Sequence, residues 1–511
     1  MSGGSRTLLT KPIKRGGEEA SRGVRLLDST PSWRKASTWG SEQQQRTLLT
    51  RDMTPHTEEG QDLYTKKGDK SVMTINIKRI ATKARNSKKE CFTSIAHFIT
   101  PERLEDSLNK IPKQTAVGID EQSVEEVKKE FPKWSEEIIG KIHTKGYRPP
   151  PVRRVYIPKI GKREKRPIAV PTVVDRALQK STVEILNAIY EEDFLDCSFG
   201  GRPGKSAHQA LATLNRVITG KKVNWLYEAD LKNFFGSLDH KWVLRFIEER
   251  VKDPRILTLI RRWLKAGVME KKEYQHTHEG VPQGGPISVL ISNIYLHYAL
   301  DLWVEKVMKK KMQGQMYYIR YLDDFVVCFQ YQADAILFQK EIEYRLKKFS
   351  LSLEHSKTRL IEFGRFAQEN AKKRGKRTET LYFLGFTIHC SKTRKGTFKI
   401  VAKTEKLRLN RAHKKIKELL KRVRHFPIKK QVKAINAVIR GLYQYYGIWG
   451  NIKALYQIYR YTQKVWKKTL SSRSQKGRMT WEKYGKILEA YPLRKPKLVM
   501  PYTKIGLYAM L

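Results

Sequence analysis

At 511 residues the chain is too long for one typical core, so several domains are expected. Its 102 Lys and Arg against 51 Asp and Glu leave a net charge of +51, which calls for a polyanionic partner, nucleic acid ahead of a membrane surface. No apolar run reaches the length of a membrane-spanning helix, and Cys91, Cys197, Cys328 and Cys390 form no Cys-x-x-Cys pair, which argues against a zinc site or a disulfide framework and leaves reduced thiols.

Residues 1–91 are rich in Gly, Ser, Thr, Gln, Lys and Arg and show little apolar periodicity. They read as a basic, largely disordered extension suited to RNA backbone. Arg-Thr-Leu-Leu-Thr stands at 6–10 and again at 46–50, a repeat for which we have no physical account. Early Arg and Ser resemble an organellar transit peptide, but Glu18 and Glu19 weigh against one. A cytoplasmic location, with RNA or the nucleoid, is the expectation. From Phe92 the pattern becomes globular. Thr100 and Pro101 read as the N-cap and first residue of a helix.

Residues 147–176 read as strand, basic turn and strand. Tyr147–Lys159 leads into Gly161–Pro167 and then Ile168–Arg176, with Lys159, Lys162, Arg163 and Arg166 near the tip. Such a tip either neutralises a triphosphate or, as a solvated loop, touches template phosphates. In Ser198–Ser206, Arg202 and Lys205 either grip a template or belong to a structural loop.

Trp225–Leu231 is a short apolar strand with Asp230 near its end. Gly280-Val281-Pro282-Gln283-Gly284-Gly285-Pro286 opens a helix through Leu290, Ile294 and Leu296, and its glycines allow close backbone approach. Tyr321-Leu322-Asp323-Asp324 then lies between Tyr317–Ile319 and Phe325–Val327. Two carboxylates inside an apolar run are costly to bury unless a cation meets them. A hairpin turn holding both acids over a divalent metal meets that cost; the bland alternative is an Asp-Asp turn between ordinary strands. Asp230 on a second strand shifts the balance. Phosphoryl transfer between nucleotides commonly uses two metals about 4 Å apart, and Mg²⁺ takes oxygen ligands.

Ile336–Phe349 is a helix candidate, and Leu351-Ser352-Leu353 alternates ahead of Lys357. From about residue 402 the chain turns helical and basic. Ile416, Leu419, Leu420 and Val423 mark one amphipathic helix, ended by Pro427, and Val432, Ile435, Ile439 and Leu442 mark the next. Arg440–Tyr446, Trp466 and Ser474–Trp481 follow. Basic helices interleaved with aromatics suit RNA backbone contact and base stacking, though Tyr and Trp at helical spacing are more often core.

Taken in order, these motifs resemble a reverse transcriptase: a strand-borne Asp230, an aromatic at Phe235, the Gly-rich loop and the Tyr-x-Asp-Asp hairpin. The surrounding residues narrow the resemblance to the group II intron-encoded reverse transcriptases, or maturases, from roughly residue 92 to the C-terminus. It implies an α+β right-hand polymerase, with fingers and an antiparallel palm sheet backed by helices over 92–400. An all-α thumb and maturase region follows over 401–511, without the endonuclease of some relatives. Ala116–Asp120 resembles the segment ahead of the fingers, and Phe383–Phe386 the hairpin that grips the primer end.

The resemblance makes Asp230, Asp323 and Asp324 the catalytic acids, and Asp230, Leu231, Asp323 and Asp324 the ligands of two Mg²⁺ ions, with Mn²⁺ as a substitute. Lys159 and Arg166 would meet the triphosphate, Phe235 would lie beneath the sugar and exclude a 2′-hydroxyl, Gln283 would sit beside the nucleotide and template, and Lys357 near the leaving pyrophosphate. Implied partners are an RNA template, structured intron RNA, a DNA primer or target, and dNTPs, with no membrane. Two departures stand out: Gly201 where the family usually has an aromatic, and Gly236-Ser237 where acidic and Asn residues are frequent. RNA-directed DNA synthesis with intron binding and splicing assistance is the implied function. The alternatives are a host-domesticated reverse transcriptase in defence or repair, and a splicing cofactor with an idle polymerase, against which the intact trio of acids argues. Phe235 weighs against an RNA-dependent RNA polymerase.

Overall fold

A computed structural model describes residues 72–158, 164–270, 273–276, 279–474 and 479–510. Part of the extension read as largely disordered is helical: helix Val72–Asn86 lies inside it. Ile80 and Ala84, one turn apart, are buried in a core shared with Ile185, Leu186 and Ile189, and Arg85 pairs with Glu192 at 2.9 Å. One short apolar stripe among many lysines and arginines is enough to dock a helix, but too little to stand out in composition. At the start of helix Pro101–Asn109, Thr100 accepts a hydrogen bond from the Arg103 N–H at 3.3 Å, as expected.

The expected basic hairpin forms from β1 (Val152–Pro158) and β2 (Lys165–Val170), antiparallel with Ile157 opposite Arg166. After β3 (Trp225–Asp230), β4 (Val268–Glu270) pairs parallel with β1, and β5 (Glu273–Gln275) extends that sheet. β6 (Met316–Tyr321), β7 (Asp324–Phe329) and β8 (Arg359–Glu362) join β3 in a second, antiparallel sheet of order β6-β7-β3-β8. A third sheet holds β9 (Thr380–Phe383), β10 (Phe386–Lys392) and β11 (Phe398–Thr404).

The second sheet is buried on both faces, and residue alternation sorts its side chains between two cores. Tyr227, Ala229, Phe325, Val327 and Phe329 face helices Val173–Tyr190, Pro286–Leu296 and Gln332–Lys348. Leu226, Ile319, Val326 and Cys328 face helix Ala207–Gly220 and the third sheet. Double burial is why these strands read as continuous apolar runs rather than alternating ones.

Helix Pro286–Leu296 continues through π-turns at His297–Asp301 and Val304–Met308 to Lys311. By length and composition this Pro286–Lys311 element could cross a membrane, but 78% of its apolar window is buried inside the protein. Beyond β11 come helices Lys406–Arg422, Ile428–Tyr446, Ile452–Ser471 and Trp481–Ala490. Their Ile416, Ile439, Leu455 and Trp466 share one core with Leu381, Ile388 and Ile400 of the third sheet. A boundary at 400/401 therefore falls within β11, between elements that pack together.

Candidate active site

Antiparallel pairing sets Asp230 opposite Asp324, and Tyr321 opposite Asp324 across the β6–β7 hairpin. Leu322 and Asp323 form the connecting turn. Leu322 has φ +57°, a left-handed conformation that costs a side-chain-bearing residue about 1–2 kcal/mol. The surroundings hold it there. Arg320, 0% exposed, donates from its guanidinium to the Leu322 carbonyl at 3.1 Å and to Asn293 Oδ1 at 3.0 Å. Asp301 receives the rest of the fork at 2.7 and 2.6 Å, and also accepts from the Tyr318 hydroxyl at 3.1 Å. Asn293 in turn donates to the Gly200 carbonyl at 2.9 Å.

Gly200 lies so close behind the turn that a Cβ would sit 2.5 Å from the Leu322 nitrogen. Beside it, Gly201 (φ +70°) leaves room for Val289 and for the Leu322 side chain, whose Cδ2 would be 3.2 Å from an added Cβ. An aromatic at position 201 would need that same space. The departure of Gly201 from the family pattern thus accompanies a bulky leucine in the turn.

The three acids form one electrostatic unit. Burial and then the Asp230 charge push the Asp323 carboxyl up, while Arg166 and Lys357 pull it down. Burial pushes Asp324 well above the usual carboxylate range, and Asp230, Asp323 and Glu228 push it further; the nearby Leu384 main-chain N–H opposes the rise. Lys357 Nζ pairs with Asp230. The loop carrying Lys357 is tied to the end of β3, since the Glu354 N–H donates to the Asp230 carbonyl at 2.8 Å and the Lys232 N–H to the Ser352 carbonyl at 2.9 Å. Burial lowers the Lys357 ammonium's pKa, but the Asp230 hydrogen bond and the three carboxylates leave it raised overall.

Among the described residues no three His, Cys, Asp or Glu side chains already converge at metal-binding distance, as befits carboxylates that repel one another while Lys357 holds Asp230. The donor chemistry fits a hard divalent cation: all the donors are oxygens, and a cation would relieve the repulsion that raises Asp323 and Asp324. Leu231 is buried and apolar, so only its main-chain carbonyl can contribute.

The expected nucleotide pocket is built from two pinned segments. Phe234 is 2% exposed and part of the core, whereas Phe235 is half-buried. The Phe235 carbonyl accepts from the Val281 N–H at 2.7 Å, and Gly280 (φ +82°) approaches so closely that a Cβ would lie 2.8 Å from that carbonyl. The Ala169 N–H of β2 donates to the Gln283 carbonyl at 2.7 Å, so the Gly-rich loop is held between β2 and Phe235. Arg166 is exposed on β2, within electrostatic reach of Asp323. Lys159 lies outside the described residues.

Arg202 is structural: it is buried, pairs with Glu191 at 3.0 Å, and donates to the Leu195 and Ser198 carbonyls. Lys205 pairs with Asp196 at 3.0 Å. Sequence reasoning missed Asp301, Asn293 and Arg320. The available signal was a charge inside each of two apolar stretches, since charges are almost never fully buried without a partner.

Residues 157–388 match the family described as reverse transcriptase (RNA-dependent DNA polymerase). Over 173 residues the chain is 40% identical to the group II intron-encoded protein LtrA of Lactococcus lactis subsp. cremoris, covering 34% of this chain and 28% of that protein. It is 34% identical over 175 residues to protein YkfC of Escherichia coli K12, covering 34% of this chain and 46% of that protein. It is 32% identical over 165 residues to a putative COX1/OXI3 intron 2 protein of Saccharomyces cerevisiae, covering 32% and 19%. The chain thus spans less than half the length of each of these relatives. Within those limits, residues 157–388 are similar to reverse transcriptase domains, and about a third of the chain is similar to group II intron-encoded proteins.

Proposed function

We propose that this protein copies RNA into DNA by nucleotidyl transfer at Asp230, Asp323 and Asp324. The observation that carries this reading is the strand register: Asp230 stands opposite Asp324, with Asp323 in the adjoining turn and Lys357 and Arg166 within electrostatic reach. Two Mg²⁺ ions, or Mn²⁺ in their place, would activate the attacking 3′-hydroxyl and bind the triphosphate and leaving pyrophosphate. The Asp230, Asp323 and Asp324 carboxylates and the Leu231 carbonyl would hold them. Lys357 would leave Asp230 for the pyrophosphate and give it a proton from Nζ. Arg166 and Lys159 would grip the triphosphate, and Gln283 would order the nucleotide against the template. Phe235 would close the pocket beneath the sugar.

The helices beyond β11 act in this reading as thumb and maturase surface. They would bind structured intron RNA and assist its splicing and mobility, with a DNA primer or target as the other nucleic-acid partner, in the cytoplasm. Asp323→Asn tests the core of the proposal. It should abolish primer extension and leave RNA retention on a filter within about twofold, because the lost charge holds metal while RNA meets basic surfaces. Robust extension by this variant would remove the metal assignment.

A further inference from the structure

The turn beside Asp324 is held by the helices that follow the third sheet. β9 and β10 are joined by Leu384 and Gly385, with φ +50° and +78°. Leu384 is therefore a second strained, non-glycine residue beside the acids. A Cβ on Gly385 would lie 2.4 Å from Arg408 Nε, so the turn packs directly against the Arg408 side chain of helix Lys406–Arg422. On its other side the Tyr445 hydroxyl donates to the Leu384 carbonyl at 2.9 Å. Tyr445 is itself well fixed. Its ring stacks on Phe386 with centroids 5.9 Å apart, and its carbonyl meets His208 Nε2 at 2.9 Å.

We propose that Tyr445 is a positioning residue for Asp324: its hydroxyl fixes the Leu384–Gly385 turn, whose main chain meets the Asp324 carboxylate, so the seating of helix Ile428–Tyr446 sets the geometry of the candidate metal site. This rests on the reading of Asp324 as a metal ligand. The Leu384 carbonyl accepts from Tyr445, and the Leu384 main-chain N–H lies close enough to Asp324 to favour its charged form, so one residue stands between the acid and the helix. A phenyl ring at 445 would keep the stacking on Phe386 and lose only that link. The coupling runs both ways: whatever reseats this helix, nucleic acid on the basic helices included, would alter the metal site. Tyr443 supplies the control. It lies on the same helix, buried, with a hydroxyl that has no hydrogen-bond partner.

The test is a Mn²⁺ titration followed by electron paramagnetic resonance on the full chain with an annealed RNA template and DNA primer. Single-turnover incorporation against Mg²⁺ concentration and thermal melting accompany it. Tyr445→Phe should bind Mn²⁺ about three- to tenfold more weakly and need correspondingly more Mg²⁺. Saturating Mg²⁺ should recover most of its rate, and its melting midpoint should match wild type. Tyr443→Phe should match wild type throughout. Wild-type Mn²⁺ affinity in Tyr445→Phe overturns the proposal, whether or not melting changes. Asp324→Asn, run alongside, separates the two readings. If it loses Mn²⁺ and synthesis while Tyr445→Phe loses neither, only the Tyr445 link fails. If it keeps both, the metal-ligand reading fails and takes the link with it.

Discussion

Phe234 and Phe235 are neighbours in sequence whose rings touch edge-on, but they differ in burial. Phe234 is core, and Phe235 stands half-buried against the Gly-rich loop. If the Phe235 ring excludes a 2′-hydroxyl, Phe235→Ala should raise the efficiency of ribonucleotide over deoxynucleotide incorporation at least tenfold. Phe234→Ala should leave that ratio alone and lower stability by roughly 3–5 kcal/mol, the usual effect of emptying an aromatic site in a core. A changed ratio in Phe234→Ala with none in Phe235→Ala would shift the sugar pocket by one residue. The acids and Phe235 were readable because each combines an unusual residue type with a fixed spacing. Asp301, Asn293 and Arg320 were not, because their meeting depends on how a helix crosses a sheet. Their network makes its own prediction. Arg320→Lys cannot reproduce a fork that reaches Asp301, Asn293 and Leu322 together. Leaving Asp301 badly paired should cost about 3–5 kcal/mol and lower the melting midpoint by several degrees. Asp323→Asn should keep the wild-type midpoint, so the two kinds of inactivation are separable by melting.

At the scale of elements, apolar periodicity located the helices Lys406–Arg422 and Ile428–Tyr446, and the strand, basic turn and strand pattern located the β1–β2 hairpin. Helix Ile428–Tyr446 contains all four expected apolar positions, and it begins directly after Pro427, the residue expected to end its predecessor. The helix Val72–Asn86 escaped notice because its apolar residues are interleaved with Lys78, Arg79, Lys83 and Arg85. The π-turns after Leu296 also left no trace in the pattern. They place His297 in the core, 3% exposed, in edge contact with Phe194 and Tyr298. Burial holds the imidazole neutral and drives its pKa down to about 4, only partly offset by Asp301. The folded value lies below the unfolded one near 6.5. His297 therefore supports the fold fully above pH 6.5, and that support is lost as pH falls toward 4, by roughly 3 kcal/mol. His297→Phe should flatten this part of the stability curve in denaturant titrations at pH 7, 5.5 and 4. An acid limb as steep as that of wild type would mean that other groups dominate it.

Across the whole molecule, the basic helices and the third sheet are one packed body. Ile416, Ile439 and Trp466 share their core with Ile388 and Ile400, so deleting the chain after β11 would strip that core rather than release a module. RNA binding by this region is therefore better tested on its surface. Helix Ile452–Ser471 exposes Lys453, Tyr456, Arg460, Lys464 and Lys468 at spacings of three and four, a single cationic stripe with one aromatic in it. Its opposite face, with Leu455, Ile458, Thr462 and Trp466, is buried. Composition made the net charge of +51 obvious, but which lysines share a face follows only from the buried side of each helix. Neutralising phosphates releases counterions, so affinity should fall steeply with salt, with a slope proportional to the number of contacts. Replacing Lys453, Arg460 and Lys464 together by Ala should weaken binding of structured RNA. It should also reduce the slope of log affinity against log salt by about two, if each residue meets one phosphate at roughly 0.7–0.9 per contact. Melting should stay at the wild-type midpoint, because the stripe makes no core contact. Incorporation on a short primer–template should change less than RNA affinity does. A triple variant with an unaltered slope would move the RNA surface off this helix and leave the charge excess to be explained by another face.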